Sequence, residues 1–272
     1  MTRRVLYFTA PFTLAVKEEP LPPPAPGRML VQTQLSAISC GTELLIYRGL
    51  APRDLAVDET LPALTGSFTF PLKYGYACVG EVISLGPGVD QDWLGKTVFA
   101  FNPHESHFWA APENLTPVPG DLAPEEAIFL ANMETAVTLV LDGAPRVGEQ
   151  VAVFGQGVVG LLTGAILARL PLASLVTLDL HPKRRLASET LGAHVSLDPA
   201  APGALSLLIS KLQGPSPYAG ADLCFELSGN PEALNLALAA TGFSGRVVIG
   251  SWYGRKKGEI DLGGAFHRRR LA

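Results

Sequence analysis

Val151-Ala152-Val153-Phe154-Gly155-Gln156-Gly157-Val158-Val159-Gly160 decides the fold of this 272-residue chain. Its first four residues form a short apolar run rich in β-branched side chains and closed by glycine, which predicts a buried strand over 151–154. From Val158 the apolar pattern continues without proline to Arg169, long enough for a helix. A bare glycine pattern of this spacing carries little weight in a chain with 28 glycines, because chance and tight packing both produce it. Placed between a strand and a helix it acquires a mechanism. Gly155 permits the sharp turn, Gly157 lets backbone approach a diphosphate, and Gly160 lets the helix lie close to the sheet with its first amides facing negative charge. Gln156, Val158 and Val159 fill the variable positions of the same loop.

Outward from this loop, strands are predicted at 174–179, 194–197, 222–227 and 246–250, and helices at 158–169, 182–191, 204–212 and 231–240. That alternation is the rhythm of a doubly wound parallel sheet of the Rossmann type. Asp179 closes the strand after the loop, at the interval where an acid accepts hydrogen bonds from the adenosine ribose hydroxyls. It favours NAD(H), since a 2′-phosphate would be repelled, while Lys183, Arg184 and Arg185 stand close enough to leave NADP(H) open. The same acid also reads as a plain strand-end or helix-capping residue. Ser228-Gly229 and Gly250-Ser251 end later strands on the cofactor edge of such a sheet, where ordinary turns would look alike.

Residues before about 120 have another texture. Turn residues recur (Pro20 to Gly27, Gly86-Pro87-Gly88, Pro117 to Gly120) between short alternating runs at 29–38, 80–85 and 96–101, which predicts a β-rich barrel or sandwich. Asp121-Leu122-Ala123-Pro124-Glu125-Glu126 signals a helix start, and a helical pattern runs to Leu141. Two domains follow, 1–122 and 123–272.

Composition narrows the functional classes. A 47% hydrophobic share against 17% charged predicts a packed globular chain. The net charge of −4 gives no footprint for nucleic acid, and the basic runs Arg3-Arg4 and Arg268-Arg269-Arg270 are too short to supply one. Between Val151 and Leu180 only Arg169 and Asp179 are charged, which invites a membrane span. The glycines, Pro171 and the restart of β-branched residues at Val176-Thr177 break the stretch into strand, loop, helix and strand, so no membrane partner is expected. Cys40, Cys78 and Cys224 are odd in number and form no CxxC pair, and the first eight residues lack a signal-peptide core. Both point to a reducing, cytoplasmic setting.

These residues resemble the medium-chain dehydrogenase/reductase family, the zinc alcohol dehydrogenase relatives built from a GroES-like domain and a Rossmann domain. Cys40-Gly41-Thr42-Glu43-Leu44-Leu45-Ile46-Tyr47 is similar to the family's Cys-Gly-Thr-Asp-x-His-x-Tyr segment. Gly75-Tyr76-Ala77-Cys78-Val79-Gly80-Glu81-Val82 is similar to its Gly-His-Glu-x-x-Gly-x-Val segment. Within the family, 39–48 and Asn132-Met133-Glu134-Thr135-Ala136 look closest to the bacteriochlorophyllide dehydrogenase-like branch. The resemblance covers nearly the whole chain and stops at Arg270-Leu271-Ala272, where family members begin a sixth Rossmann strand. The expectation is therefore an α/β chain that is either a shortened family member or a fragment, with the usual homodimer edge weakened.

The departures from the family carry as much information. Its catalytic zinc sits on a Cys, the His of Gly-His-Glu, and a later Cys or Glu. Here only Cys40 remains, with Tyr76 and Ala77 in the Gly-His-Glu segment, Leu130-Ala131-Asn132 in the third-ligand region, and Leu45 at the relay histidine. One thiolate cannot hold a site that needs three protein ligands, so no zinc is expected. His104 and His107 are expected to be surface histidines. Without metal, charge growing on a substrate oxygen must be met by hydrogen-bond donors, and Thr42 and Tyr76 are the candidates; Tyr76 also reads as a filler of the lost ligand's space. Cys40 completes the candidate set and reads as a packing relic rather than a nucleophile, since no general base is marked near it. The resemblance implies zinc-independent hydride transfer between NAD(H) and a small alcohol, ketone or activated alkene. The competing reading is a nucleotide-binding pseudo-enzyme that senses or scaffolds.

Overall fold

The computed structural model describes residues 1–61, 63–212 and 219–272. The chain forms two compact units, Met1–Ala131 and Asn132–Ala272. In chain order the first holds β1 (Thr2–Ala10), β2 (Thr13–Pro20), β3 (Met29–Ser36), α1 (Thr42–Tyr47), β4 (Leu72–Lys73), β5 (Cys78–Leu85), β6 (Thr97–Ala100), β7 (His107–Ala110), β8 (Thr116–Pro117) and α2 (Pro124–Ala127). Helix α3 (Leu130–Gly143) follows.

In the amino-terminal unit an antiparallel sheet of order β7-β3-β5-β6-β8 accompanies a smaller one of order β2-β1-β4. The alternating run at 29–38 becomes β3, and Met29 and Val31 join Cys78, Val82, Val98 and Phe108 in one cluster. The opposite face of β5 and β6 buries Ala77, Val79 and Phe99 against Ala127, Ile128 and Ala131. Strand β5 is therefore covered on both sides. Gly80 belongs to that crowding, because a Cβ there would lie 2.4 Å from the Gln32 carbonyl oxygen. The β1–β2 hairpin occupies a stretch where sequence pattern predicts no strand. Its second strand is mostly exposed and carries Lys17, Glu18 and Glu19 in a row, so it shows no clean apolar alternation. Glu105 fastens β1 to the region around β7 and β4: its buried carboxylate accepts from Arg3 Nη1 and Lys73 Nζ, both at 2.8 Å. The helix expected to run unbroken to Leu141 is divided. Phe129 N–H bonds Glu126 O, a three-residue closure that ends α2 before α3 begins.

The carboxyl-terminal unit continues with β9 (Gln150–Phe154), α4 (Val158–Leu167), β10 (Ser174–Leu178), α5 (Pro182–Thr190), β11 (Val195–Leu197), α6 (Ala204–Lys211), β12 (Ala221–Glu226), α7 (Pro231–Ala240) and β13 (Thr241–Ile249). Its sheet is parallel throughout, with order β11-β10-β9-β12-β13. Every residue of β9 is buried. Val151 and Val153 enter one cluster with Leu139, Leu167 and Phe225. Ala152 and Phe154 enter another with Leu208, Leu212 and Ala237. Two covered faces explain why the strands read as unbroken apolar runs. The order in which strands are added reverses between β9 and β12, the switch point at which a parallel sheet opens a crevice at its carboxyl ends. Along the outer side of β13, Val247 N–H donates to Ala272 O and Ala272 N–H to Gly245 O, at 2.8 and 3.1 Å. No helix among the described residues is long and apolar enough to cross a membrane.

The three cysteines differ sharply in surroundings. Burial pushes the Cys78 thiol up to about 11 and the Cys224 thiol up to about 12, while Cys40 is exposed. At pH 8 an aromatic disulfide reagent is expected to titrate Cys40 alone in the native protein and all of them in urea, read as absorbance of the released thiolate.

Candidate functional site

The loop after β9 is held by close packing. Gly155 adopts φ +92°, and a Cβ on it would lie 2.5 Å from Ser228 Cα. Its N–H donates to Leu178 O at 2.8 Å. A Cβ on Gly160 would lie 1.9 Å from Gly155 O, so α4 can sit on the loop only without a side chain there. Gly157 differs from both. It is the N-cap of α4 with φ −69°, a conformation open to any residue, and a Cβ on it would meet nothing within 4 Å. Packing accounts for Gly155 and Gly160 and leaves Gly157 as bare backbone at a helix start. Gln156 turns inward and is fully buried, its Nε2 donating to Gly155 O at 2.9 Å and Val153 O at 3.3 Å. Val158 is exposed, and Val159 packs partly against the core cluster of β9.

Asp179 takes the strand-end, turn-joining place that was one of its two expected readings. Buried at the end of β10, it accepts Gln156 N–H at 2.7 Å on Oδ2 and His181 N–H at 2.8 Å on Oδ1. It thereby joins the glycine loop to the residue that caps α5, while each oxygen keeps a second lone pair. The Arg184 guanidinium stands 3.6 Å from Oδ2. Arg185 is committed elsewhere, to Asp179 O and Leu180 O at 2.8 and 3.0 Å.

Ser228, Gly229, Gly250 and Ser251 come together at the same edge. Gly229 N–H donates to Ser251 Oγ at 2.8 Å, Gly250 N–H to Glu226 O at 3.0 Å, and Lys256 Nζ to Gly229 O at 2.6 Å. Sequence reading missed the organiser of this turn. Glu226 is fully buried, and its carboxylate accepts Ser228 N–H at 2.8 Å, the Ser228 hydroxyl and the Tyr253 phenol. Burial and that carboxylate push the Tyr253 phenol well up. A usable signal was present, because Glu226 closes an apolar strand just as Asp179 does.

The candidates in the amino-terminal unit converge on Ser39. Tyr76 Oη donates to Ser39 Oγ at 2.6 Å, and Thr42 N–H reaches the same oxygen at 3.4 Å from the start of α1. Two expectations need correction. Cys40 is exposed, so it is not a packed relic. His104 is no surface histidine: its Nε2 lies 2.9 Å from Glu43 Oε2, with side chains only 9% and 3% exposed. His107 is partly buried, which lowers its imidazole pKa, as does nearby Arg4. Tyr76, already bonded to Ser39, and buried Ala77 do not supply the nitrogen and carboxylate that zinc would need beside Cys40. Among the described residues no three His, Cys, Asp or Glu side chains gather as metal ligands.

No family model matches the chain. It is 27% identical over 255 residues to (R,R)-butanediol dehydrogenase of Bacillus subtilis, covering 84% of this chain and 71% of that protein. To L-threonine 3-dehydrogenase of Thermococcus kodakarensis it is 25% identical, covering 85% and 70%. The chain is a homologue of the zinc alcohol dehydrogenase-like medium-chain dehydrogenases/reductases. Its GroES-like plus Rossmann fold is also that of an alcohol dehydrogenase from Escherichia coli CFT073 solved in complex with NADH, with a TM-score of 0.79 at 17% identity over 100% of this chain and 82% of that one.

The glycine geometry predicts unequal costs for like changes. Gly157→Ala should alter stability by less than about 0.5 kcal/mol, whereas Gly160→Ala should cost about 2 kcal/mol or more through overpacking. Urea unfolding of the two variants measures both.

Proposed function

We propose that this homologue is a nicotinamide-dependent oxidoreductase that works without zinc, moving a hydride between NAD(H) and a small alcohol, ketone or activated alkene. The observation that carries the reading is Gly157, whose missing side chain nothing in the fold requires and which leaves room for a diphosphate at the start of α4. Backbone from Gly155 to Gly160 would hold that diphosphate, Asp179 the adenosine ribose, and Ser228, Gly229, Gly250 and Ser251 the far end of the dinucleotide. The bound nicotinamide would supply the hydride acceptor or donor. The chain's own part is to position it and to meet charge on the substrate oxygen.

That second task falls to Tyr76 and Thr42. The Tyr76 phenol holds its proton against Ser39 Oγ at 2.6 Å, where it can be turned to a substrate oxygen. Solvent-facing Cys40 borders the same turn and lacks the companions that would make it a ligand. Asp179 supports NAD(H) over NADP(H), since a carboxylate at the end of the strand after the glycine loop would repel a 2′-phosphate. A cytoplasmic setting accords with the free thiols.

Calorimetric titration with NADH and NADPH, with metal analysis of the same sample, tests the reading. Expected are NADH binding, weaker NADPH binding, no stoichiometric zinc, and affinity lowered about tenfold in Gly157→Ala, the size of one lost diphosphate contact. A wild-type chain that binds neither nucleotide sinks the proposal. Tyr76→Phe should lower turnover about 10²-fold, the scale of one lost oxyanion donor, with NADH affinity unchanged. Binding without turnover across a panel of alcohols, ketones and enones would favour the sensor reading instead.

A further inference from the structure

The amino-terminal unit carries a polar cluster that the oxidoreductase reading leaves unused. Ser36, exposed at the end of β3, is hydrogen-bonded through Oγ to Nδ1 of His104. The other ring nitrogen meets Glu43 Oε2 at 2.9 Å, and Glu43 Oε1 accepts Ser39 N–H at 2.8 Å. Glu43 is buried, and among the described residues only His104 lies within ion-pair distance of it. A carboxylate accepting at both oxygens fixes the proton of a neutral imidazole on Nε2. Nδ1 is left as the acceptor, and it faces the Ser36 hydroxyl.

The imidazole is also locked in place. His104 N–H bonds Tyr74 O at 3.3 Å, and its carbonyl accepts Leu6 N–H at 3.0 Å. The ring occupies the space beside Gly75, where a Cβ would lie 3.0 Å from ring atoms. Hydroxyl, oriented imidazole and buried acid in sequence are the arrangement that activates a serine, here with the two ring nitrogens exchanged relative to the common form.

We propose that Ser36, His104 and Glu43 form an acyl-accepting site that acts on small esters of acidic phenols. Ser36 Oγ adds to the ester carbonyl carbon while its proton passes to His104 Nδ1. The carbon–oxygen bond to the phenol breaks, the departing phenoxide takes that proton, and acyl-Ser36 remains. Water, giving a proton to the same nitrogen, then adds to the acyl carbon, releasing the acid and restoring the serine. Ser36 and His104 are the catalytic residues; Glu43 is a positioning residue that fixes the tautomer. General-base assistance alone gives about 10²–10⁴-fold, which sets the scale expected.

The test uses the native full chain with two probes, a fluorophosphonate and p-nitrophenyl acetate. With the first, a phosphorus–oxygen bond to Ser36 forms and fluoride leaves. Mass spectrometry should place the adduct on Ser36, and p-nitrophenol release should exceed that of Ser36→Ala by about 10²-fold. Ser36→Ala removes one exposed hydroxyl, so it should fold and bind NADH as wild type does. His104→Gln should label about 10²-fold more slowly, with exogenous imidazole restoring part of the rate. Glu43→Gln should label more slowly, and Glu43→Asp should recover part of the loss. Absence of a Ser36 adduct in wild type overturns the proposal, as do equal ester hydrolysis by Ser36→Ala or undiminished labelling of a folded His104→Gln. NADH binding is read separately, so failure here leaves the nucleotide reading standing, and the converse holds.

Discussion

The Gly155 carbonyl oxygen occupies the space that a side chain on Gly160 would need, and this exclusion sets how the loop after β9 meets α4 at the carboxyl edge of the parallel sheet. It brings the first turn of α4 down on the loop after β9. The same loop is tied to β10 through Leu178 O and through Asp179, which grips Gln156 N–H. It rests on β12 through the contact between Gly155 and Ser228. Three neighbouring strands are thus registered at their carboxyl ends by one turn, and the residues proposed to hold a dinucleotide are those that this turn brings together.

Buried acids show how the chain divides stability from chemistry. Glu43, Glu105, Asp179 and Glu226 are all buried, and an uncompensated charge in such a place would be costly. Glu105 is answered by Arg3 and Lys73 and serves to fasten strands. The other three are met chiefly by neutral donors: backbone N–H groups at Asp179, a backbone N–H with two hydroxyls at Glu226, a backbone N–H with an imidazole at Glu43. Acids satisfied this way stand at the candidate sites. At Asp179 a cation also stands near, the Arg184 guanidinium 3.6 Å from Oδ2, and the neutral donors of all three acids hold the turns of the candidate sites.

Much of the parallel sheet was legible in the sequence, and the reason is physical. A strand covered on both faces must be apolar throughout, so 151–154 and 174–179 stand out, and the predicted helix over 231–240 coincides with α7. Strand β13 begins at Thr241, well before the predicted 246, because Gly242, Ser244 and Gly245 read as a turn and form an irregularity between the pairs Ala221–Thr241 and Leu223–Arg246. The β1–β2 hairpin was invisible because β2 is mostly exposed, which leaves its composition unconstrained, and the partly buried β1 shows no clean alternation. The Glu43–His104 pair could not be read at all. Its members lie 61 residues apart, and only the tertiary path of the chain brings the imidazole over Gly75.

Gln156 has one further consequence. Its amide is sealed beneath the turn and donates inward to Val153 and Gly155, so the loop's shape is imposed from below by the protein itself. Two of the turn's amides are likewise engaged from within, Gly155 N–H by Leu178 O and Gln156 N–H by Asp179 Oδ2, so the turn keeps little conformational freedom to lose on association. For the dinucleotide proposed above, a turn held this way would favour capture with small backbone displacement, and discrimination would come from its rigid outline more than from movement.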